Sequence, residues 1–231
     1  MGNGTLRGNL GRGLRLIQTI MDAKNIKVAC CGPSGSGKTT LCQGLQKELG
    51  LRFIPSSVGL IFGESQKKKL AEFGYENKGH QNVINLSNAN PEFGKLFQEY
   101  ALEARNNLLC WGADQLIVDR SPVDNVTYAS LQCLHNWTEK EFEKFYGFAL
   151  DSLCHLTHII YVKSVCPDIE VNFSRVANKH YQHMVDQIFE YYLAKMSREA
   201  GIQGPKILVI DTWPENPMDR VIQAKEFILE D

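Results

Sequence analysis

The densest chemistry in the chain lies in eight consecutive residues, Gly32-Pro33-Ser34-Gly35-Ser36-Gly37-Lys38-Thr39. They satisfy G-x-x-x-x-G-K-[ST] at every fixed position, with a buried-strand pattern before them and an amphipathic helix pattern after. Glycine at Gly32, Gly35 and Gly37 lets backbone N–H groups turn inward around phosphate oxygens, where a Cβ would obstruct them. The phosphates would rest on the positive end of the following helix. Lys38 would contact the β- and γ-phosphates, and the Thr39 hydroxyl would ligate Mg²⁺. Thr40 completes the expected binding segment. The spacing therefore predicts a site for ATP or GTP with Mg²⁺.

A second segment, Leu116-Ile117-Val118-Asp119-Arg120-Ser121-Pro122, ends an apolar strand on an acid. An acid in that place stands near the Mg²⁺ of a phosphate loop, so Asp119 and Thr39 are the expected metal ligands. Arg120 follows directly, and its planar fork suits a phosphate or carboxylate.

The run Asp119-Arg120-Ser121-Pro122-Val123-Asp124, with Tyr128 shortly after, resembles the D-R-[ST]-P-x-D…Y segment of a family of phage and bacterial P-loop kinases. That family is related to nicotinamide riboside kinase domains and to deoxynucleoside and nucleoside-monophosphate kinases. Leu51 to Ser57 also resembles its second strand and the turn that follows. The resemblance implies a P-loop NTPase fold of the nucleoside/nucleotide-kinase type: a parallel sheet of about five strands, helices on both faces, and a lid. It implies that Asp119 organises Mg²⁺ or accepts the acceptor's proton, and that Arg120 holds the acceptor or the transferring group. A lid at about 166–182 would bring Arg175 onto the phosphates, with Lys179 a turn later. The loop Thr212 to Asn216 would run beside the donor base.

The resemblance thus implies an ATP- and Mg²⁺-dependent kinase of a nucleotide-type acceptor, and leaves room for a homodimer. Two alternatives stand beside it. One is phosphorylation of the 5-hydroxymethyl group of a modified pyrimidine in phage DNA, for which the Lys67-Lys68-Lys69 run could touch the polymer. The other is an NTP-hydrolysing switch, although no second acid follows Asp119 directly. Deoxynucleoside kinases carry a glutamate after the second strand as base for the sugar hydroxyl. Ser56 and Ser57 stand there here, and the nearest acid is Glu64. A phosphate acceptor is already ionised and needs no such base, which favours a nucleotide over a nucleoside. Asp124 is either a substitute base or a helix-start carboxylate. Phe62, Phe73 and Tyr75 either line a base slot or belong to the core. His180 and His183 have no third ligand nearby and read as lid or surface residues.

The elements needed to position these residues are legible. Ile26–Cys31, Leu51–Ile54, Gln115–Val118, His158–Val162 and Lys206–Ile210 read as strands. Helices are expected over Thr39–Leu49, Pro91–Trp111, Val123–Leu134, Glu139–Leu153, Val185–Met196 and Met218–Leu229. Thr138 and Glu141 form a capping box. Alternating strands and helices imply one α/β domain from about residue 26 to the C-terminus. It is preceded by a glycine- and arginine-containing tail with a short helix over residues 1–25. Gly59 to Ser87 gives no clear pattern.

With 231 residues, 43% of them hydrophobic, the chain can bury a full core. Net charge of −1 supplies no global field toward nucleic acid or membranes. Seven cysteines without a Cys-x-x-Cys pair suit reduced thiols. There is no apolar stretch of membrane length and no signal-like start, and Leu6 breaks the pattern for acylation at Gly2. A cytoplasmic protein is expected, in the host cytoplasm if it is phage-encoded.

Overall fold

Strand β1 (Ile26–Cys31) is buried at every position, as a strand covered on both faces must be. Its side chains alternate between two cores. Ala29 and Cys31 face one, while Ile26, Val28 and Cys30 face the other. The same alternation divides Leu116 and Val118 from Ile117 on β3 (Gln115–Asp119), and Ile159 and Tyr161 from Ile160 and Val162 on β4 (His158–Val162). A period of two on three central strands is what places helices on both sides. The computed structural model describes residues 25–55, 62–76, 80–111, 115–164, 179–212 and 216–230.

With β2 (Arg52–Ile54) and β5 (Lys206–Ile210), the strands form a five-stranded parallel sheet in the order β2-β3-β1-β4-β5. One face is covered by α1 (Lys38–Leu49) and α8 (Pro217–Leu229), through Leu41, Leu45, Val221 and Ala224. The other is covered by α4 (Pro91–Trp111), α5 (Pro122–Cys133), α6 (Glu139–Leu153) and α7 (Lys179–Ala200), which contribute Leu102, Val126, Ala149 and Phe189. Each fully buried Leu or Phe contributes about 1.5–3 kcal/mol relative to exposure.

The region from Gly59 to Ser87, which carries little sequence pattern, holds α2 (Glu64–Ala71) and the start of α3 (His80–Ala89). Phe62 packs edge-to-face on Phe97, and Phe73 and Tyr75 lie against Phe93. These aromatics form a third core with α4 rather than an open base slot. Lys67 pairs with Glu64 at 2.8 Å and Lys69 with Glu72, just past the helix end, at 2.7 Å, so the lysine run is partly neutralised by its sequence neighbours. Helix α7 begins at Lys179, earlier than the apolar pattern from Val185 shows. Its start is tied to β4, because Asp186 accepts the Tyr161 hydroxyl at 2.9 Å and the Ser164 N–H at 3.2 Å. The expected lid lies mostly outside the described residues. Among those described, no helix is long and apolar enough to cross a membrane.

Candidate functional site

The phosphate loop leaves the C-terminal end of the central strand. Gly32, Gly35 and Gly37 have φ of 136°, 88° and 92°, the left-handed region that a Cβ disfavours. A Cβ on Gly32 would also strike the Val162 carbonyl of β4. Gly37 caps α1, whose first turn therefore points free N–H groups into the loop. Lys38, 6% exposed, folds over the loop with its Nζ 2.5 Å from the Pro33 carbonyl and 3.3 Å from Ser36 Oγ. Burial, and then the Arg120 charge, lower its pKa. Ser36 is buried, while Ser34 is half-buried and Thr40 is exposed on the first turn of α1.

The loop is also held from outside. Phosphate loops turn N–H groups inward, so their carbonyls face the protein. Arg220 of α8 donates from Nη1 to the Ser36 carbonyl at 3.0 Å, and from Nε to the Thr212 carbonyl at 2.8 Å. This joins the loop to the end of β5, whereas residues 213–215 of the expected donor-base loop fall outside the described residues.

Strand register brings the second motif alongside: Cys30 of β1 is the partner of Asp119 on β3. The Thr39 hydroxyl donates to Asp119 Oδ2 at 2.5 Å. The other carboxylate oxygen, Oδ1, is buried with no hydrogen-bond partner among the described residues. A hydroxyl and a carboxylate, both hard oxygen donors, one with an orphaned lone pair, fit Mg²⁺. Thr39 and Asp119 are the residues that could hold it.

Arg120 turns the chain sharply. Its φ is 96°, a strain of about 1–3 kcal/mol for a non-glycine residue. Its N–H is held on the Cys30 carbonyl at 2.8 Å. Ser121 then caps α5, and Asp124, 1% exposed, returns to accept the Ser121 N–H at 2.7 Å and its hydroxyl at 3.0 Å. Asp124 is thus the helix-start carboxylate of the two readings, and it also faces Arg120 Nη1 at 3.4 Å. Burial works against the Arg120 charge, but Tyr128, Asp124 and Asp119 outweigh it and raise the pKa.

Three further polar residues were missed in the sequence. Arg105 and Gln98 on α4 and Asn125 on α5 are 6%, 5% and 2% exposed. Arg105 Nη1 donates to Asn125 Oδ1, and Asn125 Nδ2 to Gln98 Oε1 at 3.4 Å. Burial lowers the Arg105 pKa to about 10, and the charges of Asp124, Arg120 and Asp119 all reach it. Their signal was a Gln and an Arg seven residues apart on α4, two turns of one face. Arg175, expected to join these cations, lies outside the described residues, and so does the Lys179 side chain. His183 contacts Gln187 on α7, and no group of three or more metal-binding side chains occurs among the described residues.

No protein-family model matches the chain, and no curated protein matches it in sequence. Solved structures do match in shape. The deoxyadenosine kinase of M. mycoides with bound dATP superposes with a TM-score of 0.56 at 15% identity, covering 88% of this chain and 99% of its own. The shikimate kinase of Acinetobacter baumannii with shikimate gives 0.50 at 14% identity, over 92% and 97% of the two chains. The YorR protein of Bacillus subtilis in complex with phosphorylated GDP gives 0.50 at 16%, over 88% and 95%. The chain therefore has the P-loop kinase fold.

Proposed function

We propose that this protein is an ATP-dependent phosphotransferase that moves the γ-phosphoryl group to a nucleotide-type acceptor. The observation that carries the reading is the join between the two motifs: Thr39 on Asp119, with Arg120 immediately beyond, held by Asp124. A hydrolysing switch needs the phosphate loop and a metal ligand. The half-buried Arg120 and the buried Arg105, set beyond them, serve an acceptor.

Catalysis in this reading is mainly positioning and charge neutralisation. The N–H groups of the loop and Lys38 hold the donor phosphates. Thr39 and Asp119 would hold Mg²⁺, which when bound would supply charge neutralisation for the donor phosphates. Arg120 faces the acceptor side, braced by Asp124. Lys38, Arg105 and Arg120 stand against Asp119 and Asp124, one positive charge in excess, which favours an anionic acceptor. The Gln98–Asn125 amide pair beside Arg105 supports an acceptor that carries a heterocyclic base. Amides offer both donors and acceptors in a plane, and a base edge can take over the bonds they now make with each other.

The test is transfer from γ-labelled ATP to a panel of deoxynucleoside monophosphates and duplex DNA containing 5-hydroxymethyluracil. It is run with Mg²⁺ and with EDTA, with Lys38→Ala and Asp119→Asn as controls. Label on a free nucleotide, lost with EDTA and reduced at least about 100-fold in either variant, is the expected result. Label on the polymer would transfer the assignment to DNA modification, which the neutralised Lys67 and Lys69 disfavour. Label appearing only as free phosphate would replace the kinase with a hydrolase.

A further inference from the structure

Within the phosphate loop, the Ser36–Gly37 peptide lies between two fixed neighbours. The Ser36 N–H donates to the Pro33 carbonyl at 3.3 Å, and the Gly37 carbonyl accepts the Leu41 N–H at 3.0 Å in the first turn of α1. The peptide between these bonds turns about Ser36 ψ and Gly37 φ. Gly37 has φ of 92°, and glycine accepts the opposite sign about as readily, so a half-turn meets little steric resistance. In a trans peptide the carbonyl and the N–H point in opposite directions. One orientation therefore aims the Gly37 N–H at bound phosphates. The other aims the Ser36 carbonyl, the negative end of the peptide dipole, at the same anions.

Arg220 decides between them. It is 6% exposed and holds the Ser36 carbonyl from the α8 side through Nη1 at 3.0 Å. The other edge of the guanidinium, Nε and Nη2, donates to the Thr212 carbonyl beyond β5, Nε at 2.8 Å. One planar fork thus joins two main-chain carbonyls, one after β1 and one after β5, and the Thr212 pair sets its plane. The main chain of Arg220 is seated as well. Asn216 Oδ1 caps α8 on the Met218 N–H at 3.1 Å, and Val221, the next residue, packs on Gly44 of α1. A charged donor anchored to the sheet keeps the Ser36 carbonyl outside the loop and the Gly37 N–H inside it.

Resting on the nucleotide-binding part of the kinase reading, we propose that Arg220 is a positioning residue for the donor: it locks the Ser36–Gly37 peptide with its N–H toward the phosphates. A loop of this kind cradles the α- and β-phosphates, which ATP and ADP share. The lock therefore acts on binding. Without it only part of the unliganded population is competent, and affinity falls by that fraction. Bound phosphates restore the orientation, so the saturated protein still transfers.

Arg220→Lys keeps the charge and gives up the second edge, and Arg220→Gln removes the charge too. Both are made in the full chain. The readouts are Kd for ADP and for a non-hydrolysable ATP analogue, kcat at saturating ATP, KM for the acceptor, the thermal midpoint and the amide NMR resonance of Gly37. We expect both Kd values to rise about 10- to 100-fold in Arg220→Gln, the range of one hydrogen bond to a charged group, and at least about fivefold in Arg220→Lys. The kcat should stay within about threefold and the acceptor KM within about twofold. The Gly37 amide should give one sharp resonance in the nucleotide-free wild type, microsecond-to-millisecond exchange in Arg220→Lys, and one resonance again with ADP. A wild-type Kd in Arg220→Lys would overturn the lock in favour of a charge effect. A lowered midpoint with unchanged Kd would overturn it in favour of a merely structural role. If neither variant folds, the wild-type spectrum decides: exchange at Gly37 without nucleotide refutes the lock, and a single sharp resonance supports it. A wild type that binds ADP but labels no acceptor sinks the kinase reading alone, and the Kd values and the Gly37 resonance still decide the lock.

Discussion

At Asp124 a single carboxylate accepts two bonds from Ser121, faces Arg120, and is 1% exposed. Burial raises its pKa above the ordinary 3.8, although Arg120 and Lys38 pull the other way. A carboxyl whose folded pKa is raised contributes stability that is complete below the unfolded value. That contribution is lost as pH rises through the folded value. Asp124→Asn keeps an acceptor for Ser121 and cannot ionise. The stability of the wild type relative to Asp124→Asn should therefore be greatest below pH 3.8 and shrink as pH rises. Urea midpoints of both proteins at pH 3 to 8 would measure this, and a gap widening with pH would mean that attraction to Arg120 outweighs burial. At this scale the sequence revealed what fixed spacing encodes. Lys38, Thr39 and Asp119 could be singled out because metal and phosphate chemistry admits few residue types at that spacing. The Arg220 clamp could not, because Arg220 and Ser36, 184 positions apart, meet only through the fold.

Helices α1 and α8 approach closely over the sheet because position 44 is glycine. An added Cβ would lie 2.5 Å from Val221 Cγ2 and 3.3 Å from Cγ1. Val221 is β-branched and stiff at χ1, so it cannot swing aside. Helix propensity favours alanine over glycine by about 1 kcal/mol, whereas overpacking of this kind costs about 1–3 kcal/mol. Gly44→Ala should therefore destabilise the protein by up to about 2 kcal/mol. Combined with Val221→Ala, it should be more stable than the sum of the single changes, as a urea double-mutant cycle would show. A stabilised Gly44→Ala would show instead that the two helices can separate without cost. Elements were legible wherever local signals agreed. The Thr138–Glu141 box starts α6 where expected, and apolar runs bound β1 and β4. Helices α2 and α3 were not, since α2 buries only Leu70 among its eight residues and has almost no apolar periodicity to read. Gln98 and Arg105 were overlooked for the opposite reason: the apolar stripe of α4 carries the pattern, and nothing in the sequence marks the polar residues beside it as buried.

Across the whole molecule, the phosphate loop grows from β1, which is hydrogen-bonded to β3 on one side and β4 on the other, between the two main cores. Local periodicity predicts strands and their two-faced burial but not their order, and the order is what sets Asp119 beside Cys30 and Val162 against Gly32. Because Gly32 packs on β4, Thr39 on β3 and Ser36 on α8, the cradle cannot open without loosening the sheet. Nucleotide binding should consequently raise the global unfolding midpoint rather than quiet one loop. At 100 times Kd, a ligand that binds only the folded state adds about 2.7 kcal/mol. For a chain of this size that corresponds to roughly 5–10 °C. Mg²⁺·ATP should give this shift, rising with the logarithm of concentration and seen equally by circular dichroism and tryptophan fluorescence. Lys38→Ala should lose most of it while melting near the wild-type temperature without ligand, since among the described residues Lys38 hydrogen-bonds only to groups of its own loop. A shift that saturates early, differs between probes or survives in Lys38→Ala would mean that nucleotide binds away from this cradle, or that the cradle melts separately from the sheet.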